Sequence, residues 1–590
     1  MRKFSLLSGL LLIVGLHFAA LGWLNRPRQV GPDAPAGKLR SLSFAPFREG
    51  YSPLEKIYPL PEQVEEDVHL LADKTRSIRT YTSLGGLQPT PGFARKYGLK
   101  MIAGGWLSAK AADNRREVDA LVKSANENPD VVERVIIGNE VLLRGEMGVD
   151  RLIEYIREVK RAVRQPVSYA DVWSMYMKYP QLIAEVDFIT IHVLPYWEDE
   201  PISIDQATEH LEKVVRQIED EARGVAPGKP ILIGESGWPG AGRQRGRASP
   251  GVVNEARFVR GLIEVANRHG FDYNIVEAFN QPWKSHLEGV VGANWGLFSA
   301  DRREVFPLTG PVSENPRWRW HWLAASVLVA AAAAQHWRRL CELSLGRALV
   351  LLLAGQIFCI ELTEMAFFLW RTTYSDGQRV QAAALLALNA AAAALLTQRA
   401  FQLLHASKSV RDSASHSLGE SASKSVPESA DALGLAWRLR VLYYIFGWLA
   451  LLKTLALALV GRYLSFPAEQ FAVPVFGVCV LAGLAGWRAH RFSVSGLALP
   501  ALAGGGALGP AGRYLGYGLL LAAAVLIGGE TWAYLSGADF VLAHPDFSAG
   551  LPIAFSYTLM NTQLIVWLIY LLVLAVPFLA GAGIESRGRK

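Results

Sequence analysis

Two glutamates close apolar runs in this chain: Glu140 ends Val135-Ile136-Ile137-Gly138-Asn139-Glu140, and Glu235 ends Ile231-Leu232-Ile233-Gly234-Glu235. A carboxylate straight after an apolar strand is costly to bury without a purpose. One such residue reads equally well as a helix cap or half of an ion pair. Two of them, each following Gly or Gly-Asn at a strand end, read as one site. Facing carboxyls about 5–5.5 Å apart suit cleavage of a glycosidic bond, one attacking the anomeric carbon while the other protonates the departing oxygen. That division of labour expects Glu140 to hold a proton near neutral pH and Glu235 to stay ionised. Asn139 is placed to hydrogen-bond a sugar 2-hydroxyl as charge develops on the ring.

Around the pair, polar and aromatic residues gather at the ends of other apolar runs: Tyr81, Trp106, Asp171, His192, Tyr196 and Asn280-Gln281, with Trp197, Trp238, Trp283 and Trp295 nearby. Flat aromatic faces stack on pyranose rings, so these are candidate subsites, about half of them expected instead to pack between barrel and helices. His192, His210, His269 and His286 lack the close spacing of a metal site, so neither metal nor cofactor is expected, and His192 reads as a hydrogen-bonder.

The elements that must position these residues alternate. Short β-rich runs at Ser41–Phe47, Ser77–Thr82, Lys100–Leu107, Arg134–Val141, Pro166–Val172, Phe188–Leu194, Pro230–Ser236 and Asn274–Gln281 are separated by amphipathic helical segments such as Val149–Val163 and Ser203–Ala222. The spacing predicts an α/β fold, a TIM (β/α)8 barrel over residues 38–316, whose loops after each strand share one bowl. An open doubly wound sheet is disfavoured because no strand runs into a glycine-rich phosphate loop.

The rest of the 590 residues is of another kind. With 51% hydrophobic residues and a mean hydropathy of +0.19, the chain is too apolar to be wholly water-soluble. Apolar windows of about 20 residues predict an N-terminal anchor over residues 1–24, a linker over 25–37, and an all-α transmembrane region at 317–406 and 433–590. Its spans fall near Trp320–Gln335, Arg347–Trp370, Val380–Gln398, Val441–Val460, Phe471–Trp487, Tyr514–Leu535 and Leu559–Ala580, roughly eight with the anchor. The first apolar run is read as an uncleaved anchor, since bulky Trp23 and Leu24 stand where small residues mark a cleavage site.

A Ser-rich stretch, 407–432, reads as a flexible cytoplasmic linker. Basic residues alternate between loops, with Arg338-Arg339, Arg488 to Arg491 and Arg587 to Lys590 on one side. The positive-inside rule then puts both termini in the cytoplasm and the barrel outside it, in the periplasm of a bacterial inner membrane. The net charge of +7 is explained by these membrane-flanking clusters rather than by nucleic-acid binding. All 3 cysteines (Cys341, Cys359, Cys479) lie in the membrane region, so the barrel has no internal disulfide.

Ile136-Ile137-Gly138-Asn139-Glu140-Val141, Ile233-Gly234-Glu235-Ser236-Gly237-Trp238-Pro239, Ile78-Arg79-Thr80-Tyr81 and Trp295-Gly296-Leu297-Phe298 together resemble glycoside hydrolase family seventeen. The resemblance spans the predicted barrel and implies a retaining β-1,3-glucan enzyme with Glu140 as acid/base and Glu235 as nucleophile. Substrate contacts are expected from Arg79, Tyr81, Trp106, Asn139, His192, Tyr196, Trp238, Trp283 and Lys284. One departure is Phe279-Asn280-Gln281-Pro282-Trp283-Lys284, where relatives often carry an acidic pair. The flanking spans resemble those of rhizobial-type membrane proteins described as β-(1,6)-glucan synthases.

Three functional readings compete. The first is a periplasmic, membrane-bound β-1,3-glucanosyltransferase that branches or remodels β-1,3/1,6-glucans through a glycosyl-enzyme, beside a separate glucan synthase or exporter. The second is an endo-β-1,3-glucanase using the same residues. The third is a glycan transport or assembly protein with a binding-only barrel, drawn from ionisable residues in the spans: Glu361, Glu364, Lys453 and Glu530. A structural pairing of Glu361 or Glu364 with Lys453 is the plain alternative for that set.

Overall fold

In the computed structural model, which describes residues 2–414, 430–489 and 510–579, the chain forms two compact units. One comprises Pro27–Glu314 with Gly537–Pro545, the other Met1–Arg26, Asn315–Ser536 and Asp546–Lys590.

The first unit is built on eight parallel strands: β1 (Leu39–Ser43), β2 (Thr75–Arg79), β3 (Lys100–Gly105), β4 (Val132–Asn139), β5 (Val167–Val172), β6 (Ile189–His192), β7 (Ile231–Ser236) and β8 (Asp272–Ile275). They close in sequence order, β8 pairing with β1. The predicted barrel is therefore present, with every predicted strand in place and β8 ending six residues earlier than its apolar pattern foretold. Helices follow the strands, and the apolar faces of Val149–Ala162 and Ala207–Val225 bury Leu152, Ile156, Val159, Leu211, Val214 and Ile218 against the barrel. A separate small cluster holds Ile102, Ile136, Ala170, Phe188 and Leu232, one residue from each of several strands, the side-chain layering that fills a barrel of this size. An antiparallel bridge, Arg28 to Val312, closes the unit where its chain enters and leaves.

Three register shifts bear on the site. They fall between Ile136 and Asn139, between Ile191 and His192, and between Ile233 and Ser236, on the last turns of β4, β6 and β7. An irregular pairing re-aims side chains at a rim, and here it brings His192 level with Glu235.

The second unit is helical. Among the described residues, six helices are long and apolar enough to cross a membrane: Lys3–Leu24, Leu345–Thr372, Asp376–His405, Gly434–Leu459, Gly512–Leu535 and Thr562–Leu579. Two further predicted spans are helices outside that set, Trp318–Gln335 and Ala472–Ala489. A shorter apolar helix, Phe547–Leu559, precedes the last span and is opened by Asp546 accepting from the Ser548 amide. The Ser-rich stretch and the last basic cluster lie largely outside the described residues.

Candidate active site

Arg79 organises the bowl from below. It is the last residue of β2 and only 1% exposed. Its guanidinium donates to the Gly234 carbonyl at 2.7 Å, to Asn139 Oδ1 at 2.6 Å and to Glu235 Oε1 at 3.3 Å. One planar fork thus fixes residues from β4 and β7 at once, which an ammonium could not do. Glycine at 234 makes room for it. A Cβ there would lie 2.5 Å from Thr190 Cγ2 and 3.3 Å from both an Arg79 nitrogen and the His192 ring.

Glu140 follows β4 in the left-handed region, φ 52°, with its amide donating to the Ala170 carbonyl. The turn is clasped from β5: the Leu142 amide donates to the Tyr169 hydroxyl, which in turn donates to Asp171. Glu140 Oε1 lies 2.7 Å from His192 Nδ1, and His192 Nε2 lies 3.5 Å from Glu235 Oε1. One donor atom from each of Glu140, His192 and Glu235 falls within 4.8 Å of the others. The two sequence-predicted carboxylates therefore meet across the barrel mouth. Sequence spacing hid the fact that this trio has the compactness of a metal site, because its members come from three strands. Arg79 already contacts Glu235, and Glu140 and His192 already engage each other.

The protonation expected of Glu140 is corrected. Burial pushes its carboxyl up, but the His192 hydrogen bond and charge, with Arg144 and Arg79, outweigh burial and hold it below the usual range. The contact with His192 still requires a proton between Nδ1 and Oε1. Asp171, fully buried, is pushed up to about 6 by burial, with the Glu140 charge adding to it. Burial, with the Glu235 charge, also pushes up the Tyr81 hydroxyl, which donates to Ser43 Oγ at 2.8 Å.

The remaining predicted residues divide. Trp106 is 39% exposed at the rim, with Arg144 over its ring at 4.5 Å. Trp283 is half-buried beside Phe47, its indole N–H donating to Gln281 Oε1. Tyr196 and Trp238 are each 0% exposed, and this corrects their assignment as open sugar platforms. The Tyr196 hydroxyl donates to the Arg243 carbonyl and the Trp238 indole to the Ser249 carbonyl, while their rings pack edge-to-face on one another. They support the wall on which Trp197 and Trp295 stack at 6.3 Å.

Lys284 reaches Glu277 at 2.9 and 3.1 Å. Glu277 was not foreseen. It is 1% exposed, pushed up to about 7 by burial against the pull of Lys284, and feels the charge of Glu235. Glu288, also unforeseen, lies in electrostatic range of both Glu140 and Glu235. The signal for Glu277 was a lone acid in the apolar run Ile275-Val276-Glu277-Ala278-Phe279. Glu117 was likewise missed: its carboxylate accepts from Thr82 and from the Ser83 and Trp106 amides, tying two rim loops together.

The amides at 280 and 281 have a structural cause. Gln281, fully buried, donates to the Ala45 and Phe279 carbonyls while accepting from Trp283. Asn280 donates to Asn294 and accepts from the Gly296 amide. An ionised carboxylate could accept but not donate in either place.

Comparison with known proteins finds similarity over the barrel residues. A glucan 1,3-β-glucosidase of Arthroderma benhamiae is 28% identical over 257 residues, 41% of this chain and 82% of that protein. A probable β-glucosidase, btgE, of Aspergillus flavus is 26% identical over 279 residues, 45% of this chain, which spans only 43% of that relative's length. Among solved structures, an active-site mutant of the Rhizomucor miehei β-1,3-glucanosyltransferase in complex with laminaritriose aligns at 26% identity and a TM-score of 0.40, covering 46% of this chain and 96% of that one. Residues 42–296 match the family model of the BtgE/BtgC glycoside hydrolase domain.

Proposed function

We propose that the barrel is a retaining β-1,3-glucan enzyme in which Glu235 attacks the anomeric carbon and Glu140 serves as acid, then base. The observation that carries this reading is the separation of the two carboxylates, within 4.8 Å across the bowl. That is far nearer the ~5–5.5 Å of retaining pairs than the ~6.5–9.5 Å that leaves room for a water in inverting ones. The relatives named glucan 1,3-β-glucosidase and β-glucosidase support the substrate class.

In the first step the departing oxygen takes the proton held between Glu140 and His192, while Arg79 keeps Glu235 aimed. Asn139, held by Arg79 through Oδ1, presents its amide N–H to the sugar 2-hydroxyl. Trp106 and Trp283 offer rims for neighbouring rings, and Lys284 sits at the end of the bowl beside Glu277.

In the second step Glu140 deprotonates either water or a sugar hydroxyl. Transfer is the reading advanced here, because a barrel tethered by membrane spans beside a glucan source works at high local acceptor concentration. The spans and the alternation of basic loops support a barrel in the periplasm with both termini in the cytoplasm. Hydrolysis is favoured instead by the glucosidase names of the relatives. Incubation with one laminari-oligosaccharide tests the choice: products longer than the substrate support transfer, and shorter ones alone overturn it. Absence of any turnover overturns the enzymatic reading.

A further inference from the structure

Glu140 sits in a backbone conformation that residues with a Cβ rarely occupy, at φ 52°, and Gly138 two residues earlier is left-handed too, at φ 86°. The register shift between Ile136 and Asn139 marks where regular pairing of β4 with β5 gives way. Something other than the strand ladder must hold the chain there.

Beyond Glu140 the chain makes one helix-like turn, the Arg144 amide donating to the Glu140 carbonyl at 2.9 Å. The first amides of such a turn have no acceptor inside it. Here the acceptors come from β5. The Leu142 amide donates to the Tyr169 hydroxyl at 3.1 Å and the Leu143 amide to Asp171 Oδ2 at 3.4 Å, while the Tyr169 hydroxyl itself donates to that same Oδ2. The Tyr169 ring also lies against Gly138, where an added Cβ would come within 3.1 Å of ring atoms Cδ2 and Cε2. From behind, the Tyr176 hydroxyl donates to the Tyr169 carbonyl at 2.6 Å.

Tyr169 and Asp171 stand two apart on β5 and so share a face. Ala170 between them belongs to the cluster that fills the barrel, which turns their face outward, toward the helices. Each is 0% exposed, so neither offers a surface to a sugar, and Asp171 leaves the set of candidate subsites. What both reach is the turn that carries Glu140.

The hydrogen bonds also define the charge on Asp171. Oδ2 accepts from Tyr169 and Leu143, and Oδ1 accepts from the Val172 amide at 2.8 Å. Three donors converge on this carboxyl, and an ionised carboxylate is the form that accepts from all of them. Burial, with the Glu140 charge adding to it, pushes Asp171 up to about 6, so near neutral pH the charge is kept at a cost in stability. An apolar residue in its place would avoid that cost and lose the clasp.

We propose that Tyr169 and Asp171 are positioning residues for the acid/base: they hold the Leu142 and Leu143 amides, fix the left-handed backbone at Glu140, and so keep its carboxyl 2.7 Å from His192 Nδ1. This rests on the reading of Glu140 as acid and then base. The clasp acts on protonation of the departing oxygen and leaves the attack by Glu235 untouched.

Tyr169→Phe in the full-length protein tests it, because the change deletes the hydroxyl and keeps the ring against Gly138. On a laminari-oligosaccharide, kcat is expected to fall about 10–100-fold with KM little changed. Pre-steady-state release from an aryl glucoside whose leaving group needs no protonation is expected to stay close to that of the unaltered protein. Adding Tyr169→Phe to Glu140→Gln is expected to cost nothing further. Equal losses on the two substrates, or a full further loss in the Glu140→Gln background, overturn the proposal. If Tyr169→Phe does not fold, judged by circular dichroism, Asp171→Asn is held to the same two comparisons. A Glu140→Gln variant that itself loses equally on both substrates overturns the reading of Glu140 as acid, and this proposal with it; a Glu140→Gln variant that discriminates beside a Tyr169→Phe variant that does not overturns the proposal alone.

Discussion

His192 Nδ1 lies 2.7 Å from Glu140 Oε1, with the other ring nitrogen 3.5 Å from Glu235. A single imidazole therefore stands between the two carboxylates and separates their charges. It lets both stay buried at a distance where two bare carboxylates would repel strongly, and it keeps a proton beside the proposed acid.

Removing the proton carrier separates the two steps. Glu140→Gln is expected to cost about 10²–10⁴-fold in kcat with a laminari-oligosaccharide, and far less in the first step with an aryl glucoside whose leaving group needs no protonation. Pre-steady-state release of the aryl alcohol checks this. Equal losses on both substrates would assign Glu140 another task.

Arg79→Lys keeps the charge but loses the fork that joins Asn139, Gly234 and Glu235. The expected result is a fall in kcat of about 100-fold and a loss of about 3 kcal/mol of stability, read from steady-state kinetics and urea unfolding of the same preparation.

Glycine 234 is where packing and chemistry meet. Gly234→Ala drives a methyl into Thr190 and against Arg79 and His192, with an expected cost of about 1–3 kcal/mol together with lost turnover. Gly148→Ala, at a position where an added Cβ meets no atom within 4 Å and φ is −78°, is expected to be close to neutral in both assays.

The buried acids make stability fall with rising pH. Glu277 has a folded value of about 7 against an ordinary 4.5, so the folded state holds its proton more tightly than the unfolded chain. Its contribution is complete below about 4.5 and is lost as pH rises through about 7, a change of about 3 kcal/mol. Asp171, at about 6, acts in the same direction over a narrower window. Thermal melts of the unaltered protein minus those of Glu277→Gln are expected to show this slope between pH of about 4.5 and 7. A flat difference curve contradicts it.

The barrel and its carboxylate pair were legible because each depends on local pattern. Eight β-rich runs set the closure, and an acid directly after an apolar strand announces itself at Glu140 and at Glu235. What escaped depends on tertiary placement. Glu277 lies two residues beyond the true end of β8, where the apolar pattern still runs on. Tyr196 and Trp238 have the composition of sugar platforms, yet both are covered by each other and by the loop carrying Arg243 and Ser249. Asn280 and Gln281 look like lost charge in the sequence and prove to be amides that must donate as well as accept. Glu364 lies 2.9 Å from His321 Nδ1 in place of the expected pairing with Lys453, a partner hidden from helical spacing because it lies 43 residues away on another helix.

The central claim is that Glu140 and Glu235, within 4.8 Å, work by double displacement. Proton NMR of the first products released from a β-1,3-linked laminari-oligosaccharide, recorded before mutarotation, tests it most directly. The account predicts that the β-anomer appears first where water is the acceptor, and that the newly formed linkage is β where a sugar is the acceptor. Initial accumulation of the α-anomer would contradict it.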